Sequence, residues 1–238
     1  MLLRNLGMPV NEEKYKEIIN ELQSRKVQLV AVSKMQSVGD IEKLYHLGQR
    51  DFGENYVQEL IEKQPLLPLD IRWHFIGHLQ TNKVKYIAPF VHLIQSVDTF
   101  KLLLEINKQA KKFNRKINCL LQVHIAQEET KFGLDKSELD EIMNTLLSNP
   151  EHLENIYIDG LMGMASFSDD LNKVRNEMKF LKALFDKYQS SSPGSYKDNC
   201  QLSTLSMGMS GDYKMAIEEG SNMVRIGSLL FGARPKKK

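Results

Sequence analysis

Eight times along the chain a short apolar, β-branched run gives way to a longer stretch in which charges separate the apolar residues. This alternation constrains the fold more than any other feature. The runs lie at 27–34 (VQLVAVSK), 50–53, 71–76, 91–97, 117–125, 156–164, 202–207 and 223–226. Between them, 37–47, 57–63, 81–88, 99–112, 137–147, 169–188 and 213–219 carry helical spacing, and 228–231 supplies a last half-turn. A further amphipathic stretch at 11–25, with Tyr15, Ile18, Ile19 and Leu22 on one face, predicts a helix ahead of the first strand. Ser37 suits an N-cap, Gly48 follows the end of that helix, and Pro65 and Pro89 close two others. Strand-helix alternation implies parallel strands joined by right-handed crossovers. Eight such units in 238 residues, with no shift in composition, predict a single (β/α)8 TIM barrel over 1–238 with an extra N-terminal helix. The ends, 1–10 and 234–238, are expected to be flexible, and a doubly wound open sheet is the structural alternative.

Composition removes several function classes. The 32 basic and 30 acidic side chains leave a formal charge of +2, too balanced for nucleic acid to be the main partner. Cys119 and Cys200 form no C-x-x-C pair, which fits a reducing interior. The start lacks the pattern of a signal peptide and no run reaches the length of a membrane span, so a soluble, cytoplasmic protein is expected.

Barrels of this kind carry their chemistry where the strands end. Those ends supply Lys34; Glu54 and Asn55; Gly77 and His78; Ser96; Lys131; 164–166, beginning at Met164; 206–211, including Ser206 and Ser210; and 225–228, with Arg225, Gly227 and Ser228. A desolvated lysine has a lowered pKa and attacks carbonyls, whereas a strand-capping lysine merely places an ammonium in water. The small and apolar residues at 29–32 would carry Lys34 into a barrel mouth. The glycine turns at 207–212 and 225–228 suit a phosphate, in the loops where barrels repeatedly bind one, although they could simply be tight turns. His74 and His78 lack the companions of a metal site, and the spacing does not support a triad of His78, Ser96 and Asp98. Cys119, Trp73 and the phenylalanines read as core, and the lysines at 236–238 as a solvated end.

The segments Ala31-Val32-Ser33-Lys34, Phe52-Gly53-Glu54-Asn55-Tyr56-Val57-Gln58-Glu59, His74-Phe75-Ile76-Gly77, Leu79-Gln80-Thr81-Asn82-Lys83, Lys131-Phe132-Gly133, Gly160-Leu161-Met162, Leu205-Ser206-Met207-Gly208-Met209-Ser210 and Met223-Val224-Arg225-Ile226-Gly227 with Phe231-Gly232 span almost the whole chain. In this order they resemble the pyridoxal phosphate homeostasis protein family. The resemblance implies an alanine-racemase-like, fold-type III barrel holding pyridoxal 5′-phosphate as a Schiff base on Lys34. It implies phosphate contacts from Ser210, Gly227 and Ser228, and places Arg225 by the pyridine nitrogen. Asn55 would lie near the ring, with His78 and Met164 lining the mouth and Ser206 in the same set. A guanidinium gives up its proton reluctantly, so it would leave the ring nitrogen unprotonated and carbanion chemistry poor. The extra β domain of alanine racemases, which goes with a tyrosine from a partner subunit, is not expected after Gly232.

These points predict a monomeric binder and carrier of the cofactor in intracellular vitamin B6 homeostasis, without robust turnover, and with apo forms of cofactor-dependent enzymes as candidate recipients. The alternatives are a racemase of small amino acids that uses the cofactor, and a Schiff-base aldolase that does not. Members of the family often carry a second lysine where this chain has Gln36, which leaves Lys131 or Lys83 as candidate secondary acceptors.

Overall fold

In the computed structural model, which describes residues 10–126, 132–148, 153–190 and 199–232, the eight apolar runs are strands. They are β1 (Gln28–Val32), β2 (Asp51–Glu54), β3 (Arg72–Phe75), β4 (Leu93–Val97), β5 (Ile117–Val123), β6 (Ile156–Gly163), β7 (Cys200–Ser206) and β8 (Met223–Ile226). Each pairs in parallel with the next, and β8 pairs with β1, so the sheet closes into a barrel in sequence order rather than opening into a doubly wound sheet. The helices are α1 (Glu12–Ser24), α2 (Val38–His46), α3 (Val57–Lys63), α4 (Val84–Ile87), α5 (Phe100–Lys112), α6 (Lys136–Ser148), α7 (Leu171–Ser190), α8 (Tyr213–Glu218) and α9 (Ser228–Phe231). Asn11, Ser37 and Thr99 cap α1, α2 and α5 by accepting N–H bonds from Lys14, Asp40 and Leu102, which fixes those starts where the sequence places them. The helix expected over 81–88 is shorter. Gln80 offers no capping bond, and its first turn, Thr81–Lys83, is a 3-10 turn ahead of α4. The N-terminal helix is held to the last one, with Asn11 N donating to Leu230 O at 2.8 Å.

Side-chain alternation along each strand divides the core. One set, including Leu29, Phe52, Trp73, Phe75 and Ile94, packs with helix residues such as Ile18, Ile41, Leu60 and Leu103 in the ring between barrel and helices. Val30, Leu93, Leu120, Met162 and Met223 come from strands alone and form a separate apolar cluster inside the barrel. The same interior also buries Asp51, His74, Gln95, Ser206 and Arg225.

Cys119 and Cys200 are buried free thiols, and burial pushes the Cys200 thiol up to about 12. Trp73 is core, as expected, but the phenylalanines divide. Phe52 and Phe75 are buried, whereas Phe132 and Phe167 stand exposed on loops beyond β5 and β6, and Phe180 is exposed on α7. Among the described residues no helix is long and apolar enough to cross a membrane. The expected flexible ends apart from Val10, the connector residues Pro193 and Gly194, and Lys131 lie outside the described residues.

At the floor of the barrel, where β2 and β3 begin, the Asp51 carboxylate accepts Arg72 Nε at 2.7 Å, Arg72 Nη2 at 2.6 Å and His74 Nε2 at 3.0 Å. Burial alone would raise this carboxyl, but the bonds from His74 and Arg72 outweigh it and hold the group well below the usual carboxylate range. A depressed folded-state pKa stabilises the fold above the unfolded value and loses that contribution as pH falls through the folded one. Asp51→Asn is therefore expected to lower stability near neutral pH by roughly 1–3 kcal/mol. It should also flatten the loss of stability below about pH 4. Denaturant titrations at a series of pH values check both effects.

Candidate functional site

The mouth of the barrel is assembled from the strand ends, beginning at β1. The ladder continues one residue past the strand, with Ser33 N donating to Gly53 O at 2.9 Å. Alternation therefore places Lys34 on the barrel side, with Val30 and Val32. Lys34 is half-buried. The chain then turns through Met35, a non-glycine residue in the left-handed region with φ 61°. That conformation is held from behind. Lys63 of α3 reaches in to donate to Ser33 O at 2.9 Å, Glu54 Oε1 at 2.8 Å and Glu59 Oε2 at 2.8 Å. Ser33 Oγ donates to Glu54 Oε1 at 2.7 Å, and Met35 N to Glu59 Oε2 at 2.7 Å. The residues on both sides of Lys34 are thus tied to one ionic cluster. Burial pushes the Glu54 carboxyl up against the pull of Lys63.

Arg225 lies on the neighbouring strand, and the pairing of Val30 with Arg225 sets it deeper in the barrel than Lys34. It is buried. Its Nη1 donates to Ser206 Oγ at 2.6 Å and its Nη2 to Gly163 O at 2.9 Å. Burial brings the guanidinium down to about 10, with Asp212 opposing, so it is still charged at neutral pH. Among the described residues no carboxylate comes within ion-pair distance of it.

The loops after β7 and β8 meet where Gly227 N donates to Ser210 Oγ at 3.3 Å, next to exposed Ser228. Gly208 has φ 95°, and a Cβ there would lie 2.6 Å from Ala216 Cβ, so the β7 turn needs a glycine. On the β2 side, a Cβ on Gly77 would lie 2.2 Å from Asn55 O, which means the two loops touch backbone to backbone. Asn55 Oδ1 and Ser96 Oγ are buried without a hydrogen-bond partner among the described residues. Met164 packs against the apolar cluster inside the barrel.

His78 has two close partners. Its Nδ1 lies 2.7 Å from the carboxylate of buried Asp98, and its ring stacks on Phe132 with centroids 3.9 Å apart. Two members of the triad set aside on spacing do meet, but Ser96 does not join them. His74, four residues earlier, is wholly buried in the interior. Lys83 is exposed in the turn before α4.

Sequence reasoning missed Glu59 and Lys63, whose i,i+4 spacing on α3 is a visible signal. It also passed over Gln95, a lone amide in the apolar run of β4.

The sequence pattern of the alanine racemase N-terminal domain matches residues 11–235. The pyridoxal phosphate homeostasis protein of Aquifex aeolicus is 41% identical over 207 residues, covering 87% of this chain and 86% of that protein. Its counterpart in Pasteurella multocida is 37% identical over 217 residues, covering 89% and 88%. The structure of PipY from Synechococcus elongatus with PLP bound aligns with a TM-score of 0.79 at 33% identity, covering 91% of this chain and 99% of that one. With a family pattern matched over nearly its whole length and relatives at these identities, the chain belongs to the alanine racemase N-terminal domain family and, within it, to the pyridoxal phosphate homeostasis proteins.

Proposed function

We propose that this protein binds pyridoxal 5′-phosphate in the barrel mouth, held through the Lys34 amine, and acts in vitamin B6 homeostasis without sustained turnover. The observation that carries this reading is Arg225, a buried guanidinium with no carboxylate within reach among the described residues, on the strand beside Lys34. The unpartnered Asn55 Oδ1 and the glycine turn linked through Ser210 and Gly227 fit the same occupant. PLP is what the PipY structure holds, and its homeostasis is what the relatives are named for.

Lys34 supplies the nucleophilic amine, and the strut behind it fixes the backbone on either side. Ser210, Gly227 and Ser228 receive the phosphate. Arg225 and Ser206 serve the pyridine edge, while Asn55, His78 and Met164 line the ring and the entrance. When bound, the cofactor supplies an electron sink for carbanions. Arg225 keeps its proton at neutral pH, so it meets the ring nitrogen as a donor and leaves that sink weak. The Asp98 carboxylate orients the His78 ring by accepting from Nδ1, and Phe132 covers one ring face. The working unit is a single barrel domain, monomeric and cytoplasmic, with apo-enzymes that need the cofactor as recipients.

Incubation with PLP followed by gel filtration tests the reading. Wild-type protein is expected to emerge with a visible absorption band that Lys34→Ala lacks. Colourless wild-type protein, or an undiminished band in Lys34→Ala, would overturn it. The strut gives a second test. Lys63→Met leaves the Glu54 carboxyl buried without its cation and is expected to cost roughly 3–5 kcal/mol of stability and to loosen PLP retention. Adding Glu54→Gln should recover much of that stability, as a denaturant-based double-mutant cycle would measure.

A further inference from the structure

The polar half of the barrel interior is continuous. Arg225 Nη1 donates to Ser206 Oγ at 2.6 Å, and Ser206 Oγ to Gln95 Oε1 at 2.7 Å. Gln95 Nε2 lies 2.9 Å from His74 Nδ1, and His74 Nε2 lies 3.0 Å from Asp51 Oδ1. All five side chains are buried. Ser206 ends β7 at the mouth, whereas Asp51 opens β2 at the opposite face, so the chain of bonds runs along the barrel axis. Apolar side chains fill the other half of this interior, so packing alone does not call for the arrangement.

Its polarity follows from its ends. A guanidinium can only donate and a carboxylate can only accept. Ser206 accepts from Arg225, which leaves its own proton for Gln95 Oε1. That turns Gln95 Nε2 toward the imidazole, with Met223 Sδ at 3.2 Å as its second neighbour. His74 then accepts at Nδ1 and donates from Nε2 to Asp51. Every bond points from mouth to floor, and bonds aligned in this way polarise one another.

We propose, resting on the reading that the mouth holds PLP, that Gln95, His74 and Asp51 are positioning residues for Arg225. Through Ser206 they lock the guanidinium in one orientation as a donor toward the cofactor's ring nitrogen, and binding at the mouth is felt at His74 deep in the barrel. They act through Arg225 rather than on the cofactor.

NMR of protein carrying isotopically labelled histidine, before and after PLP loading, reads this directly, with His74→Phe used to assign the His74 signals. The unloaded protein is expected to show His74 protonated at Nε2 and unprotonated at Nδ1. Both signals should shift on loading, and Ser206→Ala should abolish that shift. His74→Phe and Gln95→Leu are expected to bind PLP about tenfold more weakly, the usual scale for losing a group behind a ligand. They should also show a displaced visible band with far-ultraviolet circular dichroism like wild type. If His74→Phe does not fold, assignment by Gln95→Leu and the wild-type spectra still decide the matter. The opposite tautomer, no loading shift in wild type, or a shift that survives in Ser206→Ala would overturn the relay while leaving PLP binding intact. Failure of wild type to take up PLP would overturn the underlying reading, and the proposal with it.

Discussion

A positive charge inside the barrel is the constraint on which the rest of the structure depends. Removing a guanidinium from water costs several kcal/mol unless its donors are met, and Arg225 meets that cost with a hydroxyl and a backbone carbonyl rather than a carboxylate. Both partners come from other strands, Ser206 from β7 and Gly163 from β6, so the charge can be buried only once the barrel has closed. The carboxylate whose charge acts on it is Asp212, in the loop after β7, while Asp51 ends the chain of hydrogen bonds at the opposite face. A site arranged in this way favours an electron-rich atom beside Arg225, which is what the ring nitrogen of the proposed cofactor offers.

Strand β2 shows how few residues are needed to link floor, interior and mouth. Asp51 faces inward at the floor and Gly53 at mid-height, where a side chain would crowd Val30 and Ile76; Asn55 follows on the same side at the mouth. The alternate residues, Phe52 and Glu54, face the helices, where Phe52 joins the core and Glu54 joins the Lys63 strut behind Lys34. One short strand therefore contributes to both the Arg225 chain and the backbone that presents Lys34. A change in its register would exchange these roles.

The fold was legible because its signals are local. Apolar runs, the N-cap at Ser37, and the stops at Pro65 and Pro89 set the element boundaries to within a few residues. Residues at strand ends were legible for the same reason, since closure of the barrel brings all such ends to one face. The interior chain was not. Seeing that Gln95 bridges Ser206 and His74 requires the relative heights of β3, β4 and β7, which depend on shear and on the irregular pairing of β4 with β5. The His78–Asp98 pair was missed because sequence spacing says nothing about two loops that only folding brings together. The spacing of Glu59 and Lys63 is visible in the sequence, but that Lys63 turns inward to Ser33 and Glu54 is seen only in the folded chain. Phe132 and Phe167 read as core by composition, but they occupy loops at the mouth, where exposed aromatics can cover a ligand.

The most direct measurement is borohydride reduction of the PLP-loaded protein followed by peptide mapping of the modified lysine. The expected result is the reduced cofactor on the peptide carrying Lys34, with little elsewhere. Modification centred on Lys83 or another lysine, or spread over surface lysines with Lys34 unmodified, would contradict the assignment of the barrel mouth as the PLP site.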